Sequence, residues 1–367
     1  MQHNSSGTSI FVEHVQLHAF RCFEQLTLDF TSRVILIEGL NGVGKTSLLE
    51  ALHYACYLRS FRTHIHKELV RFEGNTFFIK LLIRNDTLQH SIQAGFSQAK
   101  RIVKVDNKVV SSYKQLLTHY RVVSITEDDI LLVTGAPEIR RIFLDQALLL
   151  MSPEYLTVIR KLRHTVDNRN MVIRAKYFDP EMYRFWTEQL WHISSQVQIE
   201  RRKFLTALAD EVQELGELFS GLISEIKFSY INKKMAEHET IENFWAGSAF
   251  LKSLEIKMGR SLFGAHLDDF EIVFQGKSAR TYASRGQQKL ILMLLKIAQL
   301  RLMQKMGSCA VILLDDFMTD FDEQRMNALI SLLVATGSQL IFTSPAHLAP
   351  LHTALISYTP QYVKLTA

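Results

Sequence analysis

An α/β fold is what this sequence predicts: a β-sheet core built in two lobes, with a helical arm inserted between them. Three observations carry it. Residues 11 to about 130 alternate short apolar runs with turns, as in Leu26–Phe30, Phe77–Ile83 and Arg101–Val105, which is the texture of strands. From Glu138 the chain has no glycine until Gly216, and Leu156, Ile159, Leu162 and Val166, then Phe185, Leu190, Ile193 and Val197, recur at helical spacing. From residue 270 strands and helices alternate again. The expected division is a sheet core of residues 1–135 and 260–367 around a helical arm or lid of 136–259.

Local chemistry supports each element. Asp106-Asn107-Lys108 is a hairpin turn between Ile102-Val103 and Val109-Val110. Pro153 and Pro180 suit helix starts, and Asp179 is a good N-cap for the second. Residues from about 218 to about 260 are mixed and weakly patterned.

Composition sets bounds. The 367 residues are 47% hydrophobic and 22% charged, enough for two domains or one large domain with an insertion. The net charge of +5 is compatible with nucleic acid but equally ordinary for a basic protein. Cys22, Cys56 and Cys309 are far apart and show no C-x-x-C spacing, so neither a zinc site nor a disulfide framework is expected. Met1–Ser9 is polar without an apolar segment, which argues against a secretory signal. The best apolar run, Leu290–Leu295, is flanked by Lys289 and Lys296 and falls far short of the roughly 18 residues of a membrane span. A soluble, cytoplasmic protein is the expectation. None of the 14 histidines falls in a metal pattern such as H-E-x-x-H, and no Ser-His-Asp or Cys-His arrangement is supported by a local motif.

The chemistry concentrates in Gly39-Leu40-Asn41-Gly42-Val43-Gly44-Lys45-Thr46, which matches the phosphate-binding pattern G-x-x-x-x-G-K-[ST] at every fixed position. Val34–Ile37 ahead of it reads as a buried strand, and Ser47–Leu52 behind it as a helix start. In strand–loop–helix context, backbone N–H groups and the helix N-terminus converge on phosphate. Lys45 would reach the β- and γ-phosphates of ATP, and the Thr46 hydroxyl would ligate Mg²⁺.

Ala310–Asp316 is an apolar strand ending in two acids, the Walker B form. Asp315 would hold Mg²⁺, and Asp316 would polarise the attacking water. An aspartate reaches less far than the glutamate usual at that second position, so slow turnover is expected. A third element, Ser284-Arg285-Gly286-Gln287, opens a helix about thirty residues before Asp315, as the signature of ABC-type ATPases does. Its hydroxyl, backbone N–H and helix dipole form an anion site, with Ser284, Gly286 and Gln287 as contacts; an ordinary capped helix is the alternative. Thr319-Asp320-Phe321-Asp322 is similar to the D-loop, and Thr343 stands where many ABC ATPases place a switch histidine. The motifs together imply an ABC-type, SMC-like ATPase head. In that class the signature of one subunit closes on ATP held by the other, so Ser284 and Gly286 would act in trans within an ATP-dependent homodimer. Loop and signature lie about 240 residues apart, more than in transporter heads and far less than in SMC proteins with their long coiled coils.

With Ala19-Phe20-Arg21-Cys22-Phe23, Arg59-Ser60-Phe61-Arg62, Glu127–Asp145, Asn168-Arg169-Asn170 and Gly264–Asp269 beside the loop, signature and Walker B, the chain over nearly its whole length resembles the bacterial recombination mediator family RecF. Ala19-Phe20-Arg21-Cys22-Phe23 is similar to the family's "nFRny" segment, and Arg59-Ser60-Phe61-Arg62 to its "rSfR" element. Glu127–Asp145 resembles the block "PeDL.LV.GsP..RR.fLD", Asn168-Arg169-Asn170 the "qRN" element, and Gly264–Asp269 the "GPHRDD" element, here without its proline and arginine. The D-loop also departs from the usual Ser-Glu-Leu-Asp. The resemblance implies an ATP-dependent DNA-binding dimer acting at single-stranded or gapped DNA. With RecO and RecR it would assist RecA loading and the SOS response, hydrolysis serving as the release switch.

Candidate phosphate contacts are Arg59, Arg62, Lys67, Arg140, Arg141, Arg160, Lys161, Arg163, Arg169, Arg174, Lys176, Arg201, Arg202 and Lys203, each alternatively part of a solvated helix face. Trp186, Trp191 and Trp245 are candidates for base stacking or for core. No base-reading module is present in the sequence, so binding should be structure-selective and salt-dependent. The alternative function is a divergent ABC-type sensor or clamp, for example in phage defence, signalling through a partner protein. A nuclease-linked ATPase and a transporter ATPase fit less well.

Overall fold

The computed structural model describes residues 10–85, 88–97, 100–110, 116, 120–218, 225–233, 240–345 and 348–366. The leader-free reading of Met1–Ser9 lies outside them, as do parts of the weakly patterned region, 219–224 and 234–239. The chain divides into two compact units, Met1–Asp129 with Lys296–Ala367, and Ile130–Leu295.

The first unit holds two sheets. One is antiparallel, in the order β2-β1-β4-β5-β6-β7, from β1 (Ile10–Phe20), β2 (Phe23–Asp29), β4 (Thr76–Asn85), β5 (Leu88–Ser97), β6 (Lys100–Val105) and β7 (Lys108–Val109). Alternation decides which face is inside: Phe77, Ile79, Leu81 and Ile83 are buried, while Phe78, Lys80 and Leu82 between them are half-buried. Asp106 and Asn107 join β6 to β7 with φ of 49° and 63°, the left-handed pair that a two-residue hairpin turn requires.

The other sheet is parallel, in the order β14-β3-β13-β12-β8, from β3 (Val34–Gly39), β8 (Val122–Ile125), β12 (Val311–Leu314), β13 (Leu340–Pro345) and β14 (Gln361–Lys364). Its central strands are apolar on both faces, as parallel strands covered on each side must be. Helix α1 (Lys45–Tyr57) follows β3 and packs on strands of both sheets. The buried Gln339 side chain clasps β1: it accepts from Val12 N at 2.7 Å and donates to Val12 O at 3.0 Å, so the two sheets are joined by a satisfied polar pair.

The second unit is mainly helical. Helices α2 (Pro137–Met151), α3 (Tyr155–Arg174) and α4 (Pro180–Leu218) run before a small sheet in the order β11-β10-β9, formed by β9 (Ile226–Ile231), β10 (Asp269–Phe274) and β11 (Lys277–Ser278). Asp179 caps α4 as expected, its Oδ1 accepting from Glu181 N at 2.9 Å and Met182 N at 3.0 Å. The apolar stripes of α3 and α4 meet in a core of Leu162, Leu190, Ile193 and Val197, completed by Phe244, Phe263 and Leu251 of helix α5 (Ala249–Met258). Trp191 packs against this core, and all three tryptophans are half-buried.

Polar groups inside this unit are numerous and paired. Arg140 donates to both Asp269 oxygens at 2.7 and 3.0 Å. Arg201 does the same to Asp145 at 2.8 and 2.9 Å, and also donates to Ala265 O. Arg169 grips Glu255 at 2.9 and 2.7 Å, both side chains being 0% exposed. The expectation that Arg140, Arg169 and Arg201 contact DNA is therefore corrected. Their guanidiniums are buried in bidentate carboxylate pairs, which leaves no face for an external phosphate. Arg141 is half-buried and donates to Asp268 O at 2.7 Å. The Gly264–Asp269 element explains itself in the same terms. Buried Asp268 accepts from Gln198, Tyr230 and the Lys233 backbone, and it lies on the path between helices and small sheet.

Candidate functional site

The carboxyl ends of parallel strands are where open α/β sheets bind ligands. In the first unit β3, β12 and β13 end side by side there, Ile37 pairing with Thr343 and Leu314 with Phe342. The chain leaving β3 is Gly39–Thr46, the segment with the phosphate-binding pattern, and the chain leaving β12 is Asp315-Asp316.

The loop turns where glycine allows it. Gly42 and Gly44 have φ of 89° and 104°. A Cβ on Gly44 would meet the Phe23 ring at 2.5 Å and Cys22 Sγ at 2.6 Å. Leu40 and Asn41 are exposed, Gly39 and Ser47 buried, and Val43 half-buried. The backbone N–H groups of Gly42, Gly44, Lys45 and Thr46 make no hydrogen bond among the described residues, as the first donors of a helix have no partner within it. Lys45, 5% exposed, folds its ammonium back onto Gly39 O at 2.9 Å and Leu40 O at 3.3 Å.

Thr46 and Asp315 come together as the sequence predicted: Thr46 Oγ1 donates to Asp315 Oδ1 at 3.0 Å. Thr343 Oγ1 donates to the same oxygen at 2.9 Å and accepts from Asp316 N at 3.0 Å. Burial raises the Asp315 carboxyl above its ordinary range; the hydroxyls of Thr46 and Thr343 oppose this, and the charge of Asp316 adds to it. Asp316 occupies the left-handed region with φ 49°. A hydroxyl and a carboxylate whose second oxygen takes no hydrogen bond among the described residues are a donor set that fits Mg²⁺ beside phosphate oxygens. No cluster of three or more His, Cys, Asp or Glu that could hold a metal occurs among the described residues.

Behind the loop, sequence reasoning missed a hub. Glu50 of α1 is 0% exposed and receives Arg21 Nε at 2.8 Å, Arg21 Nη2 at 2.6 Å and the Ser60 hydroxyl. Arg62 Nη1 lies 3.5 Å from Glu50 Oε2, the oxygen that also takes Arg21 Nε, and its charge is felt at Asp315. The segments Ala19–Phe23 and Arg59–Arg62 thus converge on the loop helix; Arg62, read as a DNA contact, belongs electrostatically to this site. The signals were the spacing of Glu50 from Lys45, which places it inside α1, and the two family-like segments, whose common partner the sequence did not name.

Ser284, Gly286 and Gln287 lie in the second unit at the start of helix α6 (Arg285–Lys305). Ser284 Oγ accepts from Gln287 N at 3.3 Å and Gln287 Oε1 accepts from Ser284 N at 2.8 Å, a reciprocal capping box. In this state the hydroxyl caps its own helix. Helix α7 (Glu323–Ala335) follows the D-loop segment and is capped by Asp322.

The AAA domain family matches residues 14–242. The chain belongs to that family. Within it the resemblance to RecF is borne out. The DNA replication and repair protein RecF of Carboxydothermus hydrogenoformans is 29% identical over 91% of this chain and 94% of its own. RecF of Clostridium acetobutylicum is 26% identical over 91% and 92%. Among solved structures, the recombination mediator protein RecF-ATP of the RecFOR pathway superposes with a TM-score of 0.84 at 25% identity, over 95% of each chain. The Smc head domain of Pyrococcus furiosus, at 14% identity and a TM-score of 0.54 over 94% and 92%, shares the fold. The expected ABC-type, SMC-like ATPase head is therefore the observed fold. No helix among the described residues is long and apolar enough to cross a membrane.

Proposed function

We propose that this protein is a RecF-like, ATP-dependent DNA-binding switch of DNA replication and recombinational repair. The observation that carries it is the meeting of Thr46 with Asp315 at 3.0 Å beside the Gly42, Gly44, Lys45 and Thr46 N–H groups, which bond to nothing among the described residues. RecF relatives matching over nine-tenths of the chain, one of them solved with ATP, supply the biological context.

In this reading the loop N–H groups and the first turn of α1 bind the ATP phosphates. Thr46 and Asp315 would hold Mg²⁺, which would supply positive charge beside the phosphate oxygens. Lys45 releases the Gly39 and Leu40 carbonyls for phosphate oxygens, and Asp316 accepts the proton of the attacking water. Ser284 and Gly286 of a second copy close the site, so that ATP favours a homodimer and slow hydrolysis releases it. The head of 1–135 and 260–367, the arm of 136–259, RecO and RecR as partners, a role in the SOS response and a cytoplasmic location belong to the same reading. The sensor alternative rested on the altered Gly264–Asp269 element. Ala265 is buried there and Leu267 half-buried, so the changes lend no support to a new exposed partner surface.

Lys45→Arg tests the site: nucleotide binding is expected to persist weakly, with turnover lowered by about 10²–10³-fold. Unchanged turnover would sink the assignment. For DNA, exposed Arg160 and Arg163 share a face of α3, with Arg174 and Lys176 near its end. Arg160→Ala with Arg163→Ala should lower the slope of log affinity against log salt by about two on gapped duplex. An unaltered slope removes α3 from the DNA face.

A further inference from the structure

We propose that Thr343 is the positioning residue that holds both Walker B acids in place when Thr46 turns to its ligand. This rests on the nucleotide reading of the site. Thr343 is a polar residue in the interior of a buried strand, 3% exposed. Its hydroxyl has one proton, and the nearest acceptor is Asp315 Oδ1 at 2.9 Å; Asp316 Oδ1 and Leu314 O both lie at 3.4 Å. Its lone pair takes the Asp316 N–H at 3.0 Å.

One side chain therefore acts on two acids in different ways. On Asp316 it works through the backbone. A non-glycine residue at φ 49° is uncommon, and the Thr343 bond satisfies the N–H that this turn directs inward. On Asp315 it works through the carboxylate. Oδ1 is shared between Thr46 and Thr343, at 3.0 and 2.9 Å. When Thr46 leaves Oδ1, only Thr343 remains on that oxygen among the described residues, and the carboxylate keeps its orientation. The position that holds a switch histidine in many ABC ATPases acts here on the protein's own acids.

The test compares Thr343→Val, which keeps the shape and removes the hydroxyl, with Thr343→Ser, which keeps the hydroxyl. Mn²⁺ affinity in the presence of ADP is read by electron paramagnetic resonance, ADP affinity is measured in EDTA, and ATP turnover is measured separately. Thr343→Val is expected to weaken Mn²⁺ binding and to lower kcat, each by about 10–100-fold, with ADP affinity in EDTA and KM little changed. Thr343→Ser should restore both to near wild type. Equal Mn²⁺ affinity and kcat in the valine variant overturn the proposal. So does a serine variant as impaired as valine, because the methyl and not the hydroxyl would then matter. If the valine protein does not fold, Thr343→Ala is read against serine in the same way. Wild-type protein that binds no ADP in either condition would sink the nucleotide reading itself, a result distinct from any difference among the Thr343 variants.

Discussion

Glu255→Ala is expected to destabilise the second unit by about 3–5 kcal/mol, because it leaves a guanidinium buried without its counter-charge. Arg169 is fully buried between the rings of Tyr183 and Phe263, 4.8 and 4.7 Å from their centroids. Besides Glu255 its partners among the described residues are neutral, Ser261 Oγ at 2.8 Å and Thr187 Oγ1 at 3.1 Å. Glu255 in turn accepts from Tyr183 OH at 2.7 Å and Leu262 N at 2.8 Å, so its removal strands a hydroxyl and an amide as well. Replacing both charges, with Arg169→Met and Glu255→Leu together, should recover much of the loss, since apolar groups of similar volume carry no desolvation penalty. Urea unfolding followed by circular dichroism measures both. A loss in Glu255→Ala below about 1 kcal/mol would mean that water reaches the pair. Intact stability with abolished DNA binding would return Arg169 to the list of phosphate contacts.

That pair also marks where the sequence stops being readable. The strand, loop and helix around Gly39–Thr46 and the strand before Asp315 were legible because their signals are local: fixed spacing, a β-branched strand before, a helix after. The Asp106-Asn107 hairpin and the Asp179 cap were legible for the same reason. Arg169 was not, because charge alone does not tell a solvated arginine from a buried one, and Glu255 is far away in sequence. Arg140 and Arg201 failed identically, each needing a carboxylate on a distant element, Asp269 and Asp145. Glu50 shows the converse. It reads as an unremarkable helix residue until Arg21, Ser60 and Arg62 are brought to it from separate segments. Thr343 drew notice only as a counterpart of the switch position; its bonds to Asp315 and Asp316 depend on the register of β13 beside β12.

Asp316→Asn is expected to give an ATP-trapped dimer, with turnover lowered by about 10²–10⁴-fold through loss of the proton acceptor. The substitution suits this position. Asparagine is among the few non-glycine residues that enter the left-handed region readily, so the φ of 49° and the backbone bond to Thr343 are preserved. It also removes the negative charge beside Asp315, whose carboxyl then ionises more easily. Nucleotide binding should therefore be kept or improved while hydrolysis stops, and the closed state persists because nothing releases it. Light scattering with ATP and Mg²⁺ should show the 42.3 kDa chain doubling its mass, and a gapped duplex should sharpen the transition. A monomer with ATP, Mg²⁺ and DNA all present would mean that Ser284 serves only the capping box with Gln287 in which it is engaged, and the sandwich mechanism would fail for this chain. A dimer that forms without nucleotide would fail it equally, because association would then be independent of the phosphate loop.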